Sequence, residues 1–108
     1  AGLNVRLFKV ENGQQEEVLM DTLGLGALGL PDLQVHFKDL DLNAVARLLA
    51  NTAFYVFEQG DVIEDGQTVP GLEDDQCWRC RHAESLVPPQ RPVLDLDPGA
   101  PFAAGRSR

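Results

Sequence analysis

Basic residues are scarce in this chain. The 108 residues include nine Lys and Arg against 17 Asp and Glu, which gives a formal net charge of −8 at pH 7. Nucleic acids and anionic lipid surfaces both attract clustered basic side chains, so we expect neither as a partner. Seven acids and no base lie between residues 58 and 76. This acidic stretch is either a solvated surface or a docking surface for a basic partner or a cation.

Long hydrophobic runs are also missing. No apolar segment approaches the ~20 residues that span a bilayer, and residues 1–10 lack the apolar stretch of a signal peptide. We therefore expect a cytoplasmic protein, in which two cysteines form no structural disulfide. Apolar residues nevertheless make up 44% of the chain, enough for a folded core. We assign residues 1–97 to a single domain and the Pro- and Gly-rich residues 98–108 to a tail.

Apolar spacing predicts an α+β fold: an antiparallel sheet of about four to six strands with one main helix packed on one face. The helix covers about residues 42–58, with Asp41 as its N-terminal cap and Gly60 at its C-terminal end. Three aromatic residues near its end are expected to anchor the helix to the sheet: Phe54, Tyr55 and Phe57.

Alternating polar and apolar residues predict strands at 4–10, 33–37, 76–82 and 92–96. Residues 17–23 form either the second strand of a hairpin or a helix. Asp65-Gly66, between residues 62–63 and 68–69, predicts a two-residue hairpin. One helix covers only part of such a sheet, so an exposed remainder that includes Trp78 is expected to be buried by a partner or a second copy.

Two short motifs have better structural than functional interpretations. Residues 24–29 match the dinucleotide-binding fingerprint, but Leu30-Pro31-Asp32 and a strand follow where the pyrophosphate needs a helix N-terminus, so we interpret the motif as a turn. Cys77 and Cys80 have the spacing of a redox pair, yet in a strand residues three apart face opposite sides. Zinc bound by these cysteines with His36 and His82 is a further alternative, weakened by the sequence distance of His36. We expect no cofactor.

The acidic loop 58–68 is the main candidate for ligand binding. Asp61, Asp65 and Gly66 match positions one, five and six of a calcium loop, but Ile63 and Leu72 stand where oxygen ligands are required. A weaker cation site in this loop stays open, and no catalytic arrangement is predicted. The candidate binding residues are Asp32, Asp61, Glu64, Asp65 and Arg79.

Five segments form a recognisable pattern: residues 20–25, 28–34, 55–68, 78–80 and 84–87. Together they resemble the bacterial domain-of-unknown-function family 4261, over about Leu19 to Asp97. That family has no established activity, so the resemblance transfers no catalytic or binding residue and implies a regulatory or interaction role. The leading hypothesis is a non-catalytic protein–protein interaction or regulatory module, as a homodimer or with another protein. The alternative is a small ligand- or metal-binding domain or hydrolase that uses loop 58–68.

Overall fold

The computed structural model describes residues 3–13, 15–59, 63–72 and 76–97. This part of the chain contains six strands, one α-helix and a short 3-10 turn at Leu25–Leu28. The elements are β1 (Asn4–Asn12), β2 (Gln15–Leu23), β3 (Asp32–Phe37), α1 (Leu42–Gln59), β4 (Thr68–Pro70), β5 (Cys77–Glu84) and β6 (Pro92–Asp97).

All six strands form one sheet in the order β1-β2-β3-β6-β5-β4. Neighbouring strands are antiparallel except β3 and β6, which run parallel. The predicted α+β class with one main helix is therefore confirmed, but the sheet is mixed rather than antiparallel. Strand β6 joins β3 only after the chain has formed α1, β4 and β5, and this long crossover brings it back in the same direction.

The first two strands form a tight hairpin. Asn12 and Gln15 are its last paired residues, and Gly13 takes a φ of 67° in the two-residue turn between them. Residues 17–23, for which the sequence allowed either a strand or a helix, form part of strand β2. Although Glu, Leu and Met favour helices, β2 pairs with β1 on one side and β3 on the other, and these tertiary pairs outweigh local propensity.

Helix α1 begins after Asp41, whose Oδ2 accepts a hydrogen bond of 2.9 Å from the amide of Ala44. The predicted helix and cap are confirmed, while Gly60 lies outside the described residues. The helix packs on β2 and β3, and we call this face of the sheet the helix side. Its buried residues are Val45, Leu48, Leu49, Thr52, Ala53 and Val56.

The expected aromatic anchor is wrong. Phe54, Tyr55 and Phe57 are 64%, 40% and 55% exposed. A helix turns 100° per residue, so Phe54 lies on the side opposite Val45 and Leu49, and the aliphatic stripe makes the contact with the sheet instead.

Trp78 was expected on an exposed part of the sheet, and this prediction is also wrong. Its side chain is completely buried on the helix side with Cys80, and its Nε1 donates a hydrogen bond of 3.2 Å to Gln76 Oε1. Gly71 lies against the indole ring so closely that a Cβ at this position would fall 2.6 Å from it. The uncovered apolar surface of this protein is therefore elsewhere.

The predicted hairpin around Asp65-Gly66 is a turn without two paired arms. Gly66 has a φ of 87°, as a tight turn requires, but Ile63 belongs to no strand and residue 62 lies outside the described part. The chain turns towards β5 instead, because Gly66 N donates to Cys80 O and Cys80 N donates to Gln67 O. Strand β4 then pairs with β5.

Candidate functional site

Asp32, one of the sequence-predicted binding residues, begins β3 and is only 1% exposed. Its Oδ1 accepts hydrogen bonds from Thr22 Oγ1 and the Leu25 amide, both at 3.0 Å. Its Oδ2 accepts from Arg91 Nε at 2.9 Å. Both carboxylate oxygens are thus engaged inside the protein, so this arrangement fixes the start of β3 rather than presenting a carboxylate to a ligand.

Arg91, which the sequence analysis missed, holds the β5–β6 connection against the sheet. An arginine side chain has five N–H donors, and here all five are engaged. Nε bonds Asp32. The other acceptors are Ser85 Oγ, Pro89 O, Asp21 Oδ2 and Thr22 O, at 2.9, 2.8, 3.2 and 2.7 Å. The guanidinium therefore has no donor left for an anionic ligand. We call Arg91, with the acceptors that it binds, the Arg91 clasp.

Asp21 joins this clasp to the first strand. Arg6 donates to it through Nε at 2.9 Å and through NH2 at 2.7 Å, and the aspartate is fully buried. This hydrogen bond raises the pKa of Arg6. Two carboxylates, Asp21 and Asp32, thus face two guanidiniums, Arg6 and Arg91, so the formal charges of the cluster balance. A buried charge without its partner is costly, so this cluster ties β1, β2, β3 and the β5–β6 connection together.

The other predicted binding residues do not join Asp32. Asp65 and Arg79 line one shallow cavity of about 260 Å³, and Asp65 Oδ1 accepts a hydrogen bond of 2.6 Å from the amide of His82. Asp32 lines a different cavity of about 350 Å³. Glu64 is exposed, and Asp61 lies outside the described residues. The structure brings two of the five residues together, and a binding role for them stays a prediction.

The cysteines and histidines lie apart. Cys77 and Cys80 are free thiols three residues apart on β5, and burial raises the pKa of Cys80 to about 11, whereas a redox thiol needs a low pKa. His36 contacts Glu17 at 2.6 Å, while a ring nitrogen of His82 lies 3.0 Å from Ile63 O. Among the described residues, no three His, Cys, Asp or Glu side chains are grouped as metal ligands would be.

A row of exposed apolar side chains runs along β1 and continues onto its neighbours. Its six members are Leu3, Val5, Leu7, Leu28, Phe54 and Phe57, which are 38–64% exposed. We call this surface the β1 strip. A cavity of about 290 Å³ opens within it, lined in part by Leu3, Leu28 and Phe57. The strip exists because α1 packs on β2 and β3 and leaves the helix side of β1 uncovered.

The outer edge of β1 is open along the strip. Among the described residues, β2 is the only strand paired with β1. In a hairpin closed by a two-residue turn, the closing pair is hydrogen-bonded and such pairs then recur at every second residue. Counting back from Asn12, the even-numbered residues of β1 bond to β2. The odd-numbered ones direct their backbone groups outwards: Val5, Leu7, Lys9 and Glu11.

A family model described as "Domain of unknown function (DUF4261)" matches residues 21–97. The chain belongs to this family. The matched span of the DUF4261 domain begins at Asp21, inside β2, so β1 and half of the β1 strip precede it. No match was found among curated proteins or among solved structures. In the part of the chain that the structure describes, no helix is long and apolar enough to cross a membrane.

Proposed function

We propose that this DUF4261 domain is a non-catalytic protein–protein interaction or regulatory module that docks a protein partner on the β1 strip. The observation that carries the proposal is the strip itself, six large apolar side chains beside an open strand edge. Contiguous apolar patches of this kind are typical of interaction sites, and an open strand edge offers backbone donors and acceptors to a partner strand.

The energetics favour a partner that uses both features. Fully burying one such side chain contributes about 1.5–3 kcal/mol, so six half-exposed ones contribute roughly 5–9 kcal/mol. Association costs about 4–15 kcal/mol in lost freedom. Apolar burial alone is therefore near the break-even point, and backbone pairing along β1 would supply the remainder.

The buried charges support a non-catalytic role. A catalytic acid or cation needs free hydrogen-bonding capacity towards a substrate. The most buried charged groups here, Asp21, Asp32 and Arg91, are engaged with one another and with neighbouring backbone and hydroxyl groups. Their hydrogen-bonding capacity is used inside the protein, where it holds the sheet together.

A cytoplasmic setting is part of the proposal. Cys77 and Cys80 are unbridged thiols, and a reducing compartment keeps thiols in that state.

Site-specific photo-crosslinking tests the docking surface. A benzophenone side chain replaces Lys9, on the same side of β1 as the strip, or Thr68, an exposed residue of the opposite edge strand, as the matched control. In cells that express the chain, we expect protein adducts at position 9, none at position 68, and loss of the adducts in the double variant Phe54→Ser, Phe57→Ser. Equal yields at both positions, or no adduct at position 9, would reject the proposal.

A further inference from the structure

We infer that the occupant of the β1 strip is a second copy of this chain, joined by antiparallel pairing of β1 with β1 about a two-fold axis at Val5. This inference rests on the proposed function and names its partner. It follows from the open edge, from the alternation of residues along β1, and from the charges that each possible register would bring together.

The open edge restricts the possible registers. Only the odd-numbered residues of β1 direct backbone groups outwards, so a two-fold ladder pairs odd residues with odd residues. An axis at Arg6 would place Arg6 opposite Arg6, and an axis at Lys9 would place Lys9 opposite Lys9. Like charges directly opposite each other are destabilising.

Other registers avoid like charges but pair the apolar row poorly. With the axis at Leu7 or Phe8, Val5 faces Lys9 or Glu11.

The registers nearer the ends of β1 leave part of the row without a partner. With the axis at Val10, Lys9 faces Glu11, but Leu3 and Val5 have no facing residue on the second β1. With the axis at Asn4, Leu3 faces Val5, but Leu7 has no facing residue in the described part of the second copy.

An axis at Val5 matches the sequence at every position of the row. Val5 then faces Val5, and Leu3 faces Leu7 on both sides of the axis. Arg6 faces Asn4, a neutral polar side chain. The row of alternate residues 3, 5 and 7 is thus apolar against apolar, which is the pairing that stabilises neighbouring strands.

The same axis brings the rest of the strip into the interface. Leu3 lines the cavity between β1 and α1, together with Leu28 and Phe57. Because Leu7 of the second copy lies opposite Leu3, it reaches the mouth of this cavity. A two-fold axis normal to the sheet also places both α1 helices on the same face of the joined sheet. The result is an isologous interface and one continuous sheet.

Engineered disulfides test both the partner and the register. In a Cys77→Ser background, we expect Val5→Cys to form an intermolecular disulfide under mild oxidation, because facing residues lie about 5.5 Å apart at Cα. Leu7→Cys alone should not, since the two copies of residue 7 are offset by four residues, about 13 Å along the strand. A mixture of Leu3→Cys and Leu7→Cys chains should cross-link to each other.

Equal cross-linking of Val5→Cys and Leu7→Cys alone, or none with Val5→Cys, would overturn the register. Sedimentation of the unmodified chain decides the partner. A monomer at every concentration, together with photo-adducts between position 9 and a different protein, would overturn the second copy and leave the proposed function standing. No photo-adduct at all would reject both, so the two failures are distinguishable.

Discussion

The two edges of the sheet are built in opposite ways. Edge strand β4 has three residues and ends in Pro70. Hydrogen bonds on either side of it, from Cys80 N to Gln67 O and from Gly71 N to Gln76 O, leave Thr68 and Pro70 to face outwards. Since proline has no N–H, this edge offers one amide. Edge strand β1 has nine residues, no proline and four outward-facing positions.

Short strands and proline are the usual means by which proteins prevent edge-to-edge association. The β4 edge carries both and the β1 edge carries neither, although Lys9 and Glu11 add one charge of each sign. The exposed apolar row also lies on β1. The β1 edge therefore has the features that the proposed docking of a partner requires, and the β4 edge lacks them.

The largest effect should come from Asp21→Asn, which removes the charge that holds Arg6 and Arg91. The cluster then holds two guanidiniums against the single carboxylate of Asp32. An uncompensated buried charge costs about 3–5 kcal/mol, and the lower end applies because Arg6 is partly exposed. The side-chain tie from Arg6 to β2 is lost, while the β1–β2 ladder remains. We expect urea unfolding to show a loss of this order, with association lost as well. A stability change below about 1 kcal/mol would show that the clasp does not support the open edge.

Proline should separate the two edges without unfolding the sheet. At Val5 it removes an outward amide that takes no part in the β1–β2 ladder, and at Thr68 it does the same on β4. We expect Val5→Pro to weaken self-association about 100-fold, as loss of two symmetry-related hydrogen bonds implies. Thr68→Pro should leave it unchanged.

Sedimentation of both proline variants measures the difference, and circular dichroism checks that each remains folded. If Val5→Pro does not fold, Val5→Lys places like charges at the axis and should have the same effect. Equal association of the Val5 and Thr68 variants would show that the β1 edge is not used for pairing.

The protected edge can be loosened selectively. Gly71→Ala places a Cβ 2.6 Å from the buried Trp78 ring, and overpacking of this kind costs about 1–3 kcal/mol. We expect lower thermal stability and altered tryptophan fluorescence with normal self-association. A loss of association as large as that of Val5→Pro would mean that the two edges are coupled.

Alkaline pH should weaken the β5 side of the sheet. Burial raises the pKa of Cys80 to about 11 from the ordinary value of 9.0, so above pH 9 the unfolded chain loses a proton that the folded chain keeps. The free energy of unfolding therefore falls as pH rises from 9 towards 11, by roughly 1–2 kcal/mol. Urea titrations should show this slope, and Cys80→Ala should remove it. An unchanged slope in that variant would assign the effect to another group.

Local signals were sufficient for most elements of the fold, but they left β2 open between strand and helix and predicted a hairpin at Asp65-Gly66 that the structure does not contain. The cap at Asp41 and the apolar stripe gave α1 almost to the residue, and alternation gave β3 and β6. The parallel contact of β3 with β6 was beyond such reasoning, because pairing between distant strands depends on the whole chain. Phe54 was expected to be buried and is exposed, while Trp78 was expected to be exposed and is buried. Hydrophobic size alone does not say which side of an element faces the core.

In the buried charge cluster, too, contacts between distant residues could not be predicted, while a contact within the hairpin could. Arg91 lies 59 residues from Asp32 and 70 from Asp21, so no local pattern connects them. The Arg6–Asp21 pair was within reach, because a hairpin closed at Asn12 and Gln15 places these two residues directly opposite each other. The open edge could not be predicted, since which strand is outermost is a property of the topology.

Amide hydrogen exchange of the unmodified chain at low and high concentration tests whether β1 pairs with a second copy, because it reports both edges of the sheet in one sample. We expect the outward amides of Val5 and Leu7 to gain protection as concentration rises, while that of Thr68 on β4 does not. Exchange at Val5 and Leu7 that is independent of concentration, in a chain that self-associates, would rule out pairing along β1.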